Sequence, residues 1–336
     1  MSIFIQLLRS MFICLLIIET AYAKPFIIDT DVGVDDIIAM LYLLQRSDIQ
    51  IKAITIASDG NAHCQPALHN TLGILQIMQQ STIPVACGQD DPLIGGHHFP
   101  ASVLDESDTL AGAAKWLPST KPKIQQNAVD LMIKTIQEAS DPVTILAIGP
   151  LTNIAQALQQ SPKIKDNIRI IYIMGGAIHV PGNILEVDPA SKNQTAEWNM
   201  YLDPLAAKIV LNQKIPIVLV PLDITNQLPI DMKFYRTVKN THHTLSANYV
   251  FLMLKNNIEM IHAQWWYFWD PLAAVIASDE SIADFQTQNV SVITEPESRA
   301  GTTVIDNHNG NKIRIVTQVN QGRFKSMLLD VLNGNW

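Results

Sequence analysis

Runs of apolar, mostly β-branched residues recur along the chain at Pro25–Ile28, Ile51–Ala57, Val143–Ile148, Ile168–Met174, Ile215–Val220, Val290–Thr294 and Ile313–Val319. Between most of them lie helical patterns, at Asp35–Gln45, Pro66–Gln79, Asn127–Ala139, Thr152–Gln160 and Pro204–Leu211. A strand that is apolar throughout needs cover on both faces, and strands that alternate with helices pair in parallel. The pattern predicts an α/β protein with a mainly parallel central sheet and helices on both faces. In such sheets ligands bind beyond the carboxyl ends of the strands. Polar clusters fall at those ends: Asp29 to Asp36, Ser58-Asp59-Gly60-Asn61, Ile148-Gly149-Pro150, Gly175-Gly176 and Asp223.

Charge and the amino terminus narrow the class. The 336 residues carry a net charge of −8, which argues against a nucleic-acid surface. The first 23 residues read as a secretory signal, with Arg9 in a short polar region, an apolar core from Met11 to Ile18, and Ala21-Tyr22-Ala23 as the cleavage site. That core is too short to span a bilayer comfortably, and no later run is long enough. The expectation is an exported protein, periplasmic or extracellular, with no stable membrane insertion after cleavage. No Gly/Ser/Pro-rich linker or internal repeat divides residues 24–336, so one domain is expected. Cys64 and Cys87 remain after cleavage; they either pair in an oxidising compartment or stay as buried thiols.

Asp29-Thr-Asp31-Val-Gly-Val-Asp35-Asp36 places four aspartates in eight residues, at a strand-to-helix turn. N-capping accounts for one or two of them. Like charges this dense repel unless neutralised, and a hard cation such as calcium or magnesium suits carboxylate oxygens. Gly33 permits a tight turn or a close backbone approach. Farther on, Glu197 and Asn199 alternate and would point to one side of an extended segment, where with Asn183 they suit a polyhydroxylated ligand such as a sugar. In Trp265-Trp266-Tyr267-Phe268-Trp269-Asp270, core packing is expected for Trp265, Trp266 and Phe268. Asp270 lies between that cluster and an apolar helix, so it needs a partner; a metal, with Trp269 as a stacking ring beside it, is consistent.

At this point the chain resembles the nucleoside hydrolase family, which includes inosine-uridine-preferring enzymes. The opening aspartates match its DxDxGxDD signature. Gly149-Pro150-Leu151-Thr152-Asn153, Met174-Gly175-Gly176, Glu197-Trp198-Asn199 and Asp270 follow in the family's order, from about Pro25 to near the carboxyl terminus. The resemblance implies hydrolysis of a ribonucleoside to ribose and free base, with a tightly bound calcium. It implies Asp31, Asp36, Asp270 and the Ile148 carbonyl as metal ligands, and Asp31 as acceptor of the attacking water's proton. It implies that Asp35, Asn61, Asn183, Glu197, Trp198 and Asn199 bind the nucleoside. It leaves Asp29 orienting its neighbours from behind. Relatives are commonly homodimers or homotetramers. Many members carry a histidine just before the last aspartate, as leaving-group acid. Here that position is Trp269, as in the purine-preferring branch, where stacking eases protonation of the base. His97 and His98 do not match a second family histidine and are expected at the surface; Phe99 offers a second stacking face.

Two other classes compete. The Asp29-Thr30-Asp31 start resembles haloacid-dehalogenase-like phosphatases, but that reading leaves Asp35, Asp36, the Glu197–Asn199 block and Asp270 without roles. A non-catalytic exported nucleoside-binding protein is motivated by the missing histidine and opposed by the retained carboxylates. Release of free base from inosine separates both from a hydrolase.

Overall fold

The computed structural model describes residues 23–120 and 127–335. The expected signal segment therefore lies outside the described residues, except for Ala23. Nine strands form one sheet: β1 (Lys24–Thr30), β2 (Ile49–Ile56), β3 (Val85–Cys87), β4 (Val143–Ile148), β5 (Ile168–Met174), β6 (Ile217–Val220), β7 (Ala283–Val292), β8 (Thr303–Ile305) and β9 (Asn311–Val319). Their order is β3-β2-β1-β4-β5-β6-β9-β7-β8. Strands β3 through β6 and β9 run parallel, whereas β7 is antiparallel to both β9 and β8. The sheet is thus mainly parallel, with an antiparallel edge.

Alternation along β1 shows why both faces must be covered. Phe26 and Ile28 join one apolar core with the helices Val34–Leu44 and Trp269–Ser278. Ile27 points the other way, into a second core with the helices Ala128–Glu138, Thr152–Gln160 and Pro204–Leu211. All six residues of β4 are buried, as a central strand between two helical layers requires.

After β1 the chain builds outward through β2 and β3, then returns to add β4 on the other side of β1. That reversal makes a switch point between β1 and β4, where loops diverge and leave a crevice. Thr30 and Ile148, the last residues of the two strands, are register partners. The four aspartates and the Ile148 carbonyl therefore start from the same place in the sheet. Cys64 and Cys87 form a disulfide that ties the helix Cys64–Ile77 to β3. Among the described residues, no helix is long and apolar enough to cross a membrane.

Candidate active site

The turn after β1 is built by close approach. Gly33 has φ −69°, so it is not the residue that bends the chain; Val32, at φ 62°, takes the left-handed conformation. Such a conformation is costly for a β-branched residue, and strain of this kind concentrates at functional sites. Gly33 serves instead to leave room: a Cβ there would lie 2.7 Å from Asn61 Nδ2 and 3.0 Å from Asp36 Oδ2. Asp36 reaches back to accept the Gly33 amide at 2.9 Å, and its other oxygen accepts the Thr30 hydroxyl. Asp35 and Asp36 open the helix Val34–Leu44, where the helix dipole favours negative charge.

These aspartates meet Asp270, in the first turn of Trp269–Ser278. Asp35, Asp36 and Asp270 offer oxygens within 4.8 Å of one another. Asp31 adjoins Asp36 through a carboxyl–carboxyl contact and accepts the Asn61 amide at 3.0 Å. Burial, then mutual repulsion, pushes Asp31 and Asp270 well above the ordinary carboxylate range and Asp35 up to about 7. Burial also raises Asp36, against the hydrogen bonds it receives. Four buried carboxyls held together against desolvation and repulsion call for a positive partner. Seven carboxylates and no lysine, arginine or histidine line the pocket among the described residues, so the protein supplies none. A donor set made only of hard oxygens fits a hard divalent cation.

The pocket above this cluster has a volume of about 560 Å³. It brings together every residue expected at the site: Asp31, Asp35, Asp36, Asn61, Ile148, Asn183, Glu197, Trp198, Asn199, Trp269 and Asp270. Glu197 does not lie on an extended segment as the alternation suggested. It caps the helix Trp198–Leu202, accepting the amides of Asn199 at 2.9 Å and Met200 at 3.2 Å, and also that of Gly176 at 3.0 Å. A carboxylate facing two consecutive orphan amides, those of Asn199 and Met200, starts a helix rather than a strand. Burial raises it to about 6, and those amides limit the rise. Asn199 is fixed by donating to the Met174 carbonyl at 3.2 Å, and Asn183 by accepting the Trp198 amide at 3.0 Å. Asn61 is oriented by the Ser107 hydroxyl at 2.8 Å.

Aromatic rings make the remaining walls. Trp269 packs 5.3 Å from Tyr267, and Phe99 stacks on Trp198 at 4.2 Å. Trp265 departs from its expected core role: it is 68% exposed at the pocket rim. Residues 266–268 pair with 228–230 as a short extended stretch, so Trp266 and Phe268 turn inward while Trp265 and Tyr267 face the other way. His97 is also not a free surface residue; it is held by Tyr201 and Glu297.

Other polar clusters at the strand ends support the site without lining it. Asp29 accepts Thr55 at 2.5 Å and Asn153 at 2.9 Å beneath the turn. Asp223 accepts the amides of Ile178 and His179, fixing the segment after Gly176. Sequence reasoning missed Ser107, Tyr267 and Glu186 as pocket residues. Tyr267 carried a usable signal, since it alternates with Trp269; the other two sit on short helices without a clear period.

A family model for inosine-uridine preferring nucleoside hydrolases matches residues 26–326. The pyrimidine-specific ribonucleoside hydrolase RihA of Salmonella agona is 35% identical over 311 residues, covering 90% of this chain and 95% of that protein. The inosine-uridine preferring nucleoside hydrolase of Bacillus anthracis superposes with a TM-score of 0.81 at 26% identity, covering 93% of this chain and 99% of that one. A purine-preferring ribonucleoside hydrolase from Gardnerella vaginalis superposes with a TM-score of 0.77 at 26% identity, covering 93% and 98%. Sequence, fold and the acidic turn at the switch point agree: the chain belongs to the inosine-uridine preferring nucleoside hydrolase family, whose members are N-ribosyl hydrolases.

Proposed function

We propose that this protein is an exported, calcium-dependent ribonucleoside hydrolase that prefers purine nucleosides. The observation that carries the reading is the place of Trp269. Its indole lines the pocket immediately before Asp270, so the acidic cluster and an aromatic base platform are one residue apart. A purine offers that platform a larger face, and a protonated base is stabilised over an indole.

Asp31, Asp36, Asp270 and the Ile148 carbonyl would hold the cation, with Asp35 in reach of the same oxygens. When bound, calcium supplies charge neutralisation, orientation of the sugar and a lowered pKa for water. Asp31 takes the proton of the attacking water. Glu197, Asn199, Asn183 and Asn61 hold the ribose hydroxyls, each already oriented by a backbone or side-chain hydrogen bond. Surrounding carboxylates stabilise the oxocarbenium-like charge that develops as the glycosidic bond breaks. Export is supported by the amino-terminal signal pattern and by the Cys64–Cys87 disulfide, which suits an oxidising compartment.

A second reading, pyrimidine preference, is favoured by the 35% identity to pyrimidine-specific RihA. Release of free base from inosine, guanosine, adenosine, uridine and cytidine decides between them. Higher kcat/KM on uridine and cytidine would replace the purine reading, and no base from any of them would remove the hydrolase reading.

A further inference from the structure

The wall of the pocket between Phe99 and Ser107 comes from outside the sheet, on the connection after β3 and the helix Ala101–Asp108. One end of that wall is fastened at Asp108, which accepts the His63 amide at 2.8 Å and meets His63 Nδ1 at 2.7 Å. Its other end passes through His97. There Nδ1 lies 2.6 Å from the Tyr201 carbonyl and Nε2 lies 2.7 Å from Glu297 Oε1. The imidazole also stacks on the Tyr201 ring at 4.0 Å and 14°. A carbonyl and a carboxylate both accept, so each ring nitrogen must donate, and only the imidazolium carries both protons. Tyr201 belongs to the helix Trp198–Leu202, which begins at Glu197 and carries Trp198 and Asn199. Two residues after His97, Phe99 stacks on Trp198.

We propose that His97 is a positioning residue: as an imidazolium it clamps the Phe99–Ser107 wall to the helix that presents Trp198 and Asn199, and so sets how tightly the nucleoside is enclosed. The titratable groups that face it are Glu297, from the turn Glu297–Arg299, and the Tyr201 phenol, which also donates to Glu297 at 3.2 Å. Asp188 acts on that phenol, and on His97's own segment His98 pairs with Asp91 at 3.9 Å. Without its two contacts to the Tyr201 carbonyl and Glu297, His97 no longer ties its segment to the helix. The wall then loosens, and substrate binding weakens while the acidic cluster is untouched. The proposal rests on this pocket being the nucleoside site.

His97→Phe keeps the ring stack and removes both hydrogen bonds. KM for the best nucleoside is expected to rise roughly tenfold at pH 6, with kcat within about twofold, because the lost interaction encloses substrate rather than stabilising the transition state alone. Glu297→Gln, at an exposed position, keeps an acceptor without charge and should raise KM by a smaller factor than His97→Phe does. Nitrogen-15 correlation spectra of the His97 ring report its two protons without any turnover. Unchanged KM in a folded His97→Phe, or a neutral His97 ring at pH 6 in the spectra, would overturn the clamp. Should His97→Phe not fold, an unchanged KM in Glu297→Gln overturns it equally. Absence of base release by the unaltered protein would instead remove the hydrolase reading and leave the spectra to decide the clamp.

Discussion

A Cβ placed on Gly60 would lie 2.2 Å from the Cβ of Asp31, inside any tolerable contact. The loop after β2 is thus pressed against the carboxylate expected to take the water's proton, and its next residue, Asn61, donates its amide to that same carboxylate. Gly60→Ala is expected to shift Asp31 and to lower kcat about a hundredfold, the scale of loss for a misplacement of about 1 Å. Asp31→Asn should abolish turnover in a folded protein. Steady-state kinetics with a melting curve for each variant checks both, and a wild-type kcat in either removes Asp31 from the mechanism.

Removal of the cation should expose the repulsion within the acidic cluster. Asp35 is raised to about 7, and Asp31 and Asp270 rise with it, when no cation is bound. A carboxyl whose folded-state pKa is raised contributes stability that is full below the unfolded value near 4. That contribution is lost as pH rises through the folded value. The chelated protein should therefore lose Tm between about pH 5 and pH 8 relative to the calcium-loaded protein, and the gap should widen with pH. Activity should vanish on chelation and return with calcium. A constant Tm gap across that range would show that the cluster is not where the cation binds.

The disulfide makes a different kind of prediction. Cys64 and Cys87 are 23 residues apart, and cross-linking a loop of that size restricts the unfolded chain by about 3 kcal/mol. The double variant Cys64→Ser, Cys87→Ser should melt on the order of 5–10 °C lower. Asn61 lies just before the bridge, so KM is also expected to rise. Thermal unfolding with and without reductant checks the first, and a Tm unmoved by either treatment would mean that the loop closes equally well unbridged.

How far the sequence reached depended on length and period. The boundaries of β4 and β5 coincide with the apolar runs that predicted them, because both strands lie deep in the sheet and are apolar nearly throughout. Strands β3 and β8 have three residues each, too few to show a period, and neither was predicted. The four aspartates were legible as a site because their density makes no sense in water or in a core. Glu197 lines the pocket, but from a helix cap rather than an extended segment, since two alternating polar residues look the same on a strand and at a helix cap. The Ser107–Asn61 bond joins residues 46 apart, with the helix Cys64–Ile77 and β3 between them, and no local period registers such a pairing. The open choice at Cys64 and Cys87 was settled by the packing of the helix Cys64–Ile77 against β3, which no spacing rule contains.

Trp269 provides the test of base preference that bears most directly on mechanism. Its ring lines the pocket beside Tyr267, and among the described residues no histidine lines that pocket to protonate a departing base. On the purine reading proposed above, the stack eases protonation of the base, which matters only for a poor leaving group. Trp269→Ala should lower kcat/KM on inosine by about a hundredfold or more, while a nitrophenyl riboside, whose leaving group needs no acid, should lose less than about tenfold. Trp269→Phe keeps a smaller ring and should fall between. Equal losses on both substrates would mean that the indole only shapes the wall. A larger loss on uridine than on inosine would show the platform to be built for pyrimidines, in line with the RihA relatives.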